Sequence, residues 1–503
     1  MKLYHVTNNS ASHIALSDIP VVEYVELYND LKERMSQRRY HIGHYFATEI
    51  ENGLKFFLIL LDDTTSEVLV TSFVPDYYSE GLASLTALHP AFHPFEREIH
   101  ELYGVPFDSH PWLKPLRFSH DRRDKSSTMD SYPFYSIEGD ELHEVNVGPI
   151  HAGIIEPGAF RFICAGEQVL HLEIALGYQH RGVEGEMVRN QNRLRQTLIA
   201  ESIAGDTAVG HATAYAEVVE KFAGFKASKS LSLERMIAIE LERIAMHLAD
   251  TGALATDIGF QLYQVACEAL RTVTINTSQA WCGNRFGKSV IRPCGSNHPL
   301  TEQKIALIRK NISEVRRRYN EVREDIMESP SLLARFEQCG LVPKSEMESI
   351  GGVGQAARAS GLLRDLRATH PSGYYTEIKH EPILKHDGDV MSRLATRMDE
   401  VLQSADYIES ALANYKPQGD IPAPNYNATL QGDALAFSLV EGWRGEICHV
   451  ALTNSEGEIV KYKIKDPSLH NWLGLAIAVR SEGISDFPIN NKSFNLSYCG
   501  HDL

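Results

Sequence analysis

The sequence predicts an α/β N-terminal domain followed by a larger domain that is mostly α with an α+β component. Three observations predict this. Up to about Phe118, short apolar segments of strand length are separated by turn residues. Residues 119–140, SHDRRDKSSTMDSYPFYSIEGD, are polar, charged and turn-rich, which reads as a linker. From residue 141 the apolar period lengthens to three and four, the period of amphipathic helices.

The elements follow in chain order. Tyr24–Met35 has helical spacing, and Tyr45–Ile50, Leu54–Leu61 and Val68–Phe73 read as strands. Glu51-Asn52-Gly53 and Asp62–Ser66 supply the turns between them. Beyond the linker, Phe160–Ile174 is β-like, and Leu231–Thr251 and Thr301–Met327 are long helical stretches. In the second helix Ile305, Ile308, Ile312, Val315, Tyr319, Val322 and Ile326 form one apolar seam, expected to face the core. Ala434–Lys463 returns to strand-like alternation around the turn Asn454–Gly457.

Composition narrows the function. The chain of 503 residues carries 49 basic and 66 acidic side chains, a net charge of −17 that repels phosphate backbones, so no nucleic-acid partner is expected. The longest apolar run, in Leu54–Leu61, is far short of the roughly 18 residues that span a bilayer. The N-terminus, MKLYHVTNNS, has no apolar signal core. A cytoplasmic protein is expected, with any membrane attachment made through partner subunits. The seven cysteines, Cys164, Cys267, Cys282, Cys294, Cys339, Cys448 and Cys499, contain no C-x-x-C pair, which argues against a disulfide framework or a thiolate-held cluster.

Two stretches carry a family likeness. His93–Phe118, HPFEREIHELYGVPFDSHPWLKPLRF, places Glu96, Arg97, Glu98, Tyr103, Gly104, His110, Pro111, Leu113 and Lys114 on one pattern. It resembles the 30-kDa-type subunit of respiratory complex I and its hydrogenase relatives. The resemblance implies a scaffold, with Glu96, Arg97, Glu98 and His110 forming either a rigid polar docking surface or an internal ion-pair cluster. Asn146–Glu184 carries Gly148-Pro149, His151, Gly158, Arg161, Gly177-Tyr178, His180-Arg181-Gly182 and Glu184. This stretch resembles the 49-kDa-type complex I subunit and the large subunit of group 4 membrane-bound nickel-iron hydrogenases, of the formate hydrogenlyase type. Glu240-Leu-Glu-Arg-Ile-Ala-Met-His247 matches a helix common to both branches. Its Glu240, Arg243, His247 and Asp250 share one face and need partners if buried. Gly351-Gly352-Val353-Gly354 with Arg358 and Asp365-Leu-Arg367 fits the same large-subunit pattern better than a nucleotide loop. The implied architecture is a 30-kDa-like domain over residues 1–118, a linker over 119–140, and a hydrogenase large-subunit or 49-kDa-like domain over 141–503.

The metal ligands of the hydrogenase branch are missing. A nickel-iron centre takes four soft thiolates. In the motif Glu-Arg-x-Cys-Gly-x-Cys-Gly-x-x-His, this chain has Glu201, Ala204, Gly205, Asp206, Thr207 and His211, so alanine and threonine stand at the thiolate positions. At the C-terminus, Ser497 and Gly500 stand at the other two, and Cys499 is out of register. The complex I branch is incomplete as well, because its quinone-facing histidine is replaced by Ile155-Glu156 and its quinone-site tyrosine is absent near Gly205. Glu156-Pro157-Gly158 leans toward the hydrogenase branch.

What remains is a candidate polar cluster of His151, Glu156, Glu201, Asp206, Thr207, His211, Cys499 and Asp502. Partly buried carboxylates and imidazoles can carry protons or hold a polar ligand. They can equally line a cavity filled by hydrogen-bonded water. No resident metal is expected, quinone is a candidate ligand, and an iron-sulfur cluster is expected in a partner. The resemblance implies a peripheral-arm subunit of an NADH-quinone oxidoreductase or hydrogenase-like complex. Its partners would be an iron-sulfur small subunit of the 20-kDa type, a ferredoxin-like subunit and antiporter-like membrane subunits. It would sit peripherally on the inner face of the cell membrane. The rival readings are a catalytically empty scaffold of such a complex and, more remotely, a free-standing enzyme with a metal at Cys499, His501 and His151.

Overall fold

The computed structural model describes residues 1–76, 80–417 and 421–503. Near the N-terminus, strands Tyr4–Thr7, Glu67–Phe73, Gly53–Asp62 and Tyr40–Ile50 lie side by side in that order, every neighbouring pair antiparallel. The helix Tyr24–Arg34 buries Leu27 and Leu31 and projects its charged residues outward. The strand beginning at Tyr40 is five residues longer than the alternation predicts, because Tyr40, His41, Ile42, Gly43 and His44 are all buried and show no polar-out period.

A second antiparallel sheet has the order Ile459–Lys465, Glu446–Thr453, Ala434–Glu441 and Ile14–Ala15. Its last strand comes from the N-terminal region, so the chain ties its two ends together. Both central strands are buried along their whole length. One face packs Leu435, Phe437, Leu439, Cys448 and Val450 against Phe46, Phe57, Ile59 and Val70 of the N-terminal sheet. The opposite face packs Ala434, Ala436, Ala451 and Tyr462 against Tyr215, Val218 and Phe222 of the helix Ala208–Ala223. The two sheets therefore share one apolar layer, as expected of stacked sheets with no polar face between them.

The helical body is built from Lys229–Asp257, Gln261–Cys282, Glu302–Met327 and Val390–Asn414, which converge on one large core. Ile305, Ile308, Ile312, Val315, Tyr319 and Ile326 are buried in it, with Val322 at its margin, so the seam faces the core. Side chains stop the helices from fraying at their starts. Ser228 Oγ accepts from the Leu231 N–H, and Asp389 Oδ1 accepts from the Ser392 N–H at 2.7 Å. The β-like stretch is a hairpin of Ala159–Ala165 and Gln168–Ala175, extended by Leu142–Val147. Among the described residues no helix is long and apolar enough to cross a membrane.

Candidate functional site

The site forms where the turn before helix Ala208–Ala223 meets the last residues of the chain. Val209 and Gly210 donate their free backbone N–H groups to the two oxygens of Glu242, at 2.7 and 3.1 Å. A carboxylate from a neighbouring helix thus closes the helix N-terminus. Burial pushes the Glu242 carboxyl up to about 8, and the nearby Asp206 charge adds to the rise.

Asp206 and Thr207 are gripped by Arg444, which the sequence pattern did not single out. Its guanidinium donates to both Asp206 oxygens at 2.6 and 2.7 Å, to Thr207 Oγ1 at 3.2 Å and to the Asn495 carbonyl at 2.6 Å. The Trp443 indole N–H donates to the Asp206 carbonyl and Thr207 Oγ1, and Arg444 lies over the same ring at 3.9 Å. Arg444 sits in a charged turn, Glu441-Gly-Trp-Arg-Gly-Glu446, between two apolar strands. That contrast was the signal available for finding it.

His211 belongs to a line of buried polar groups. Its Nε2 lies 3.1 Å from Asp466 Oδ2 and its Nδ1 lies 3.0 Å from His449 Nε2. The other nitrogen of His449 meets the Tyr462 hydroxyl at 2.8 Å. Burial holds His449 well below the usual histidine range, so it is neutral. For Asp466 burial works upward, but hydrogen bonds from His211 and Ser468 and the charge of Arg444 hold the carboxyl below its ordinary value.

The C-terminal helix Tyr498–Asp502 closes the site. Ser497 Oγ caps it, accepting from the Gly500 N–H at 2.9 Å, and Asp466 lies against Gly500. Cys499 donates its backbone N–H to Glu156 at 3.4 Å, and its Sγ is 3.5 Å from Ser497 Oγ. Burial, reinforced by the Glu156 carboxylate, pushes the thiol up to about 11, so it stays protonated and is a poor metal ligand.

A nickel-iron centre does not fit these residues. The four thiolate positions carry Ala204, Thr207, Ser497 and Gly500, which offer two hydroxyl oxygens and no sulfur. The surroundings hold a bidentate Asp206–Arg444 pair and the His211–Asp466 contact instead.

The predicted cluster is only partly assembled. Asp206 and Thr207 are joined through Arg444 to the Asn495 carbonyl, His211 reaches Asp466 beside Gly500, and Glu156 meets Cys499. Glu201 turns away: it accepts from the Ser289 N–H at 2.5 Å and pairs with Arg292 at 2.6 Å. Asp502 clamps the C-terminus by accepting from the Gly177 and Gln179 N–H groups at 2.8 and 2.9 Å. His151 shares a hydrogen bond with the Gly158 carbonyl at 2.8 Å within its own turn. These three hold backbone rather than face the Arg444 centre.

Of the two readings of the Glu96–Arg97–Glu98 segment, the internal one holds, with Glu98 ion-paired, Glu96 held by neutral donors and Arg97 by backbone carbonyls. Glu96 is fully buried and accepts four hydrogen bonds from Ser84, Leu85 and Thr86. His110 Nε2 lies 3.8 Å from it. Glu98 pairs with Arg117 and, at 2.8 Å, with Lys463 of the C-terminal sheet. The segment therefore joins the two parts of this chain, because carboxylates this deep need a charge or several donors beside them.

The shared face of helix Lys229–Asp257 is likewise an internal network. Glu240 and Arg243 pair at 3.0 Å, His247 meets Glu400 at 2.7 Å, and Asp250 meets Arg397 at 2.8 Å. Glu400 also binds Arg358 at 2.5 Å and Arg367 at 3.1 Å, and Arg358 reaches Glu441 at 2.8 Å. Burial lowers His247 to about 4, so it is neutral beside the ionised Glu400.

Comparison with known proteins agrees with this architecture. The family described as "Respiratory-chain NADH dehydrogenase, 30 Kd subunit" matches residues 18–127, and "Respiratory-chain NADH dehydrogenase, 49 Kd subunit" matches residues 257–435. Formate hydrogenlyase subunit 5 of Escherichia coli (strain K12) is 26% identical over 478 residues, covering 91% of this chain and 81% of that protein. Membrane-bound hydrogenase subunit alpha of Pyrococcus furiosus is 29% identical over 360 residues, covering 69% and 84%. The C/D subunit of the NADH-quinone oxidoreductase of Phocaeicola vulgatus is 24% identical over 451 residues, covering 82% and 85%. The fold is shared with a chain from the structure of the membrane-bound sulfane sulfur reductase, an archaeal respiratory membrane complex, at a TM-score of 0.67 and 19% identity over 73% of this chain and all of that one. The protein is thus a fusion of a complex I 30-kDa-type domain with a 49-kDa-type domain, homologous to large subunits of group 4 hydrogenases and to C/D subunits of NADH-quinone oxidoreductases.

Proposed function

We propose that this chain is a peripheral-arm subunit of a membrane-associated oxidoreductase complex, working without a nickel-iron centre in its own site. It contacts an iron-sulfur small subunit of the 20-kDa type, and through further ferredoxin-like and antiporter-like partners it sits on the cytoplasmic face of the membrane. Its part in the complex is to couple electron transfer, with quinone as a candidate acceptor, to the membrane subunits through protonation changes in the polar cluster. The observation that carries this reading is that an Asp206–Arg444 pair and a His211–Asp466 contact stand where the family pattern has thiolates. Glu242, raised to about 8 beside Asp206, supplies a group that changes charge near neutral pH.

The test is turnover of the purified complex with Asp206→Asn and His211→Ala subunits, alongside quantification of nickel in the native complex. Activity that falls at least about tenfold with normal assembly supports a working cluster. Unchanged activity would assign the chain to the rival role, a catalytically empty scaffold. Stoichiometric nickel held by this subunit would sink the whole reading.

A further inference from the structure

A cavity of about 360 Å³ lies between the helix His93–Tyr103, the strand Gln168–Ala175 and the helix Ser468–Ala478, with His501 of the C-terminal helix also in its lining. It is the size of a small-ligand site and mixes apolar walls with a few polar groups. Trp112, Trp472, Leu176 and Leu473 supply flat or aliphatic surface. Tyr135 and Arg480, both exposed, stand at its rim.

Its polar groups are unusual for a folded interior. His93 is 6% exposed, yet among the described residues neither ring nitrogen has a hydrogen-bond partner. The indole N–H of Trp472, 4% exposed, has none either. Buried polar atoms are nearly always satisfied, and an orphaned one costs about 1–3 kcal/mol. The His93 ring stacks on Trp112 at 5.4 Å, and the Arg97 guanidinium lies 4.4 Å from the same indole.

The charge is also unbalanced. Arg97 donates to the carbonyls of Lys114 and Pro115, at 2.8 and 2.6 Å. Among the described residues no carboxylate pairs with it or with Arg480. The one lining carboxylate, Glu173, is taken by Lys114 at 2.5 Å. On a chain of net charge −17 this is a local cationic pocket.

We propose that this cavity binds a small amphipathic anion, an aromatic ring bearing a carboxylate. The ring lies among Trp112, Trp472 and Leu473, and the carboxylate faces Arg97 and His93. Flat apolar walls select the ring. The unanswered guanidinium and imidazole select a group that accepts hydrogen bonds and carries negative charge. The site is independent of the redox reading above, and either can fail without the other.

The experiment is isothermal titration calorimetry of the full-length chain with 2-naphthoate and with the uncharged 2-naphthalenemethanol. Saturable binding of the carboxylate is expected, at least roughly tenfold tighter than that of the alcohol. Ala476→Phe fills the cavity from its wall and abolishes the heat. Arg480→Glu reverses an exposed charge with no partner to lose, so the fold is kept. It weakens naphthoate by roughly tenfold while leaving the alcohol unchanged. Absence of saturable heat at millimolar naphthoate overturns the proposal. So does equal affinity for the acid and the alcohol, or naphthoate binding indifferent to Arg480→Glu. If circular dichroism shows Ala476→Phe unfolded, the Arg480→Glu result decides.

Discussion

Two buried regions of this molecule treat polar groups in opposite ways. Along the seam between helices Lys229–Asp257 and Val390–Asn414, Glu400 lies within 4.0 Å of Arg243, Arg358 and Arg367 together, and Asp250 meets Arg397. In the cavity above helix His93–Tyr103, among the described residues, the His93 ring has no hydrogen-bond partner and Arg97 no carboxylate within ion-pair distance. A matched interior is a structural device, since each ion there offsets the desolvation of its neighbours. An unmatched one keeps that cost open until something else fills the space. The difference separates residues that hold the fold from residues that await a ligand.

The comparison breaks most readily at Glu400. Removing this carboxylate in Glu400→Ala leaves Arg243, Arg358 and Arg367 short of a shared counter-charge at full burial. A loss of about 3–5 kcal/mol is expected in denaturant unfolding. A loss below about 1 kcal/mol would show that the seam does not hold the helices together.

A smaller, pH-dependent effect is expected at Glu242. Its carboxyl is raised from 4.5 to about 8 in the folded protein by burial, with Asp206 adding and Arg243 opposing. A raised group favours the fold below its unfolded value, and that contribution is lost as pH rises toward the folded value. The contribution of this group to stability should therefore decline between about pH 5 and 8, by at most about 1.4 kcal/mol per unit. Glu242→Gln should remove this component, leaving the contributions of the other shifted groups in place, among them Glu441, raised to about 7, and His247, lowered to about 4. Melting temperatures across that range provide the measurement, and identical slopes in the two proteins would refute the assignment.

The least effect is expected in the cavity. His93→Phe removes two nitrogens that have no partner and keeps the stacked ring on Trp112. Stability should change by less than about 1 kcal/mol, or rise. A loss of 2 kcal/mol or more would mean that His93 makes a stabilising bond in the ligand-free protein.

Much of the fold was legible in the residues. The apolar seam from Ile305 to Ile326, the alternation around Asn454–Gly457 and the ordered motifs of both domains were all readable because local periodicity reports which face is buried. The site was legible in part. The absence of cysteine at 204, 207, 497 and 500 is a matter of residue identity. Arg444 stood out only as a charge in a turn between apolar strands, because nothing in its own neighbourhood names Asp206, 238 positions away, as its partner. Glu201 was misplaced for the same reason: its partner Arg292 lies 91 residues on.

By itself, the sequence determined which chemistry is lost: four thiolate positions without sulfur cannot hold a soft metal in any conformation. It also showed the apolar seam of helix Glu302–Met327 and the strands on either side of the turn Asn454–Gly457. Only the tertiary structure decided that Glu96 and Glu98 turn inward, that Glu98 joins the two domains through Lys463, and that His93 is left facing a cavity. Those outcomes depend on which distant groups share a low-dielectric interior, and pairing across hundreds of residues is set by packing rather than by local pattern.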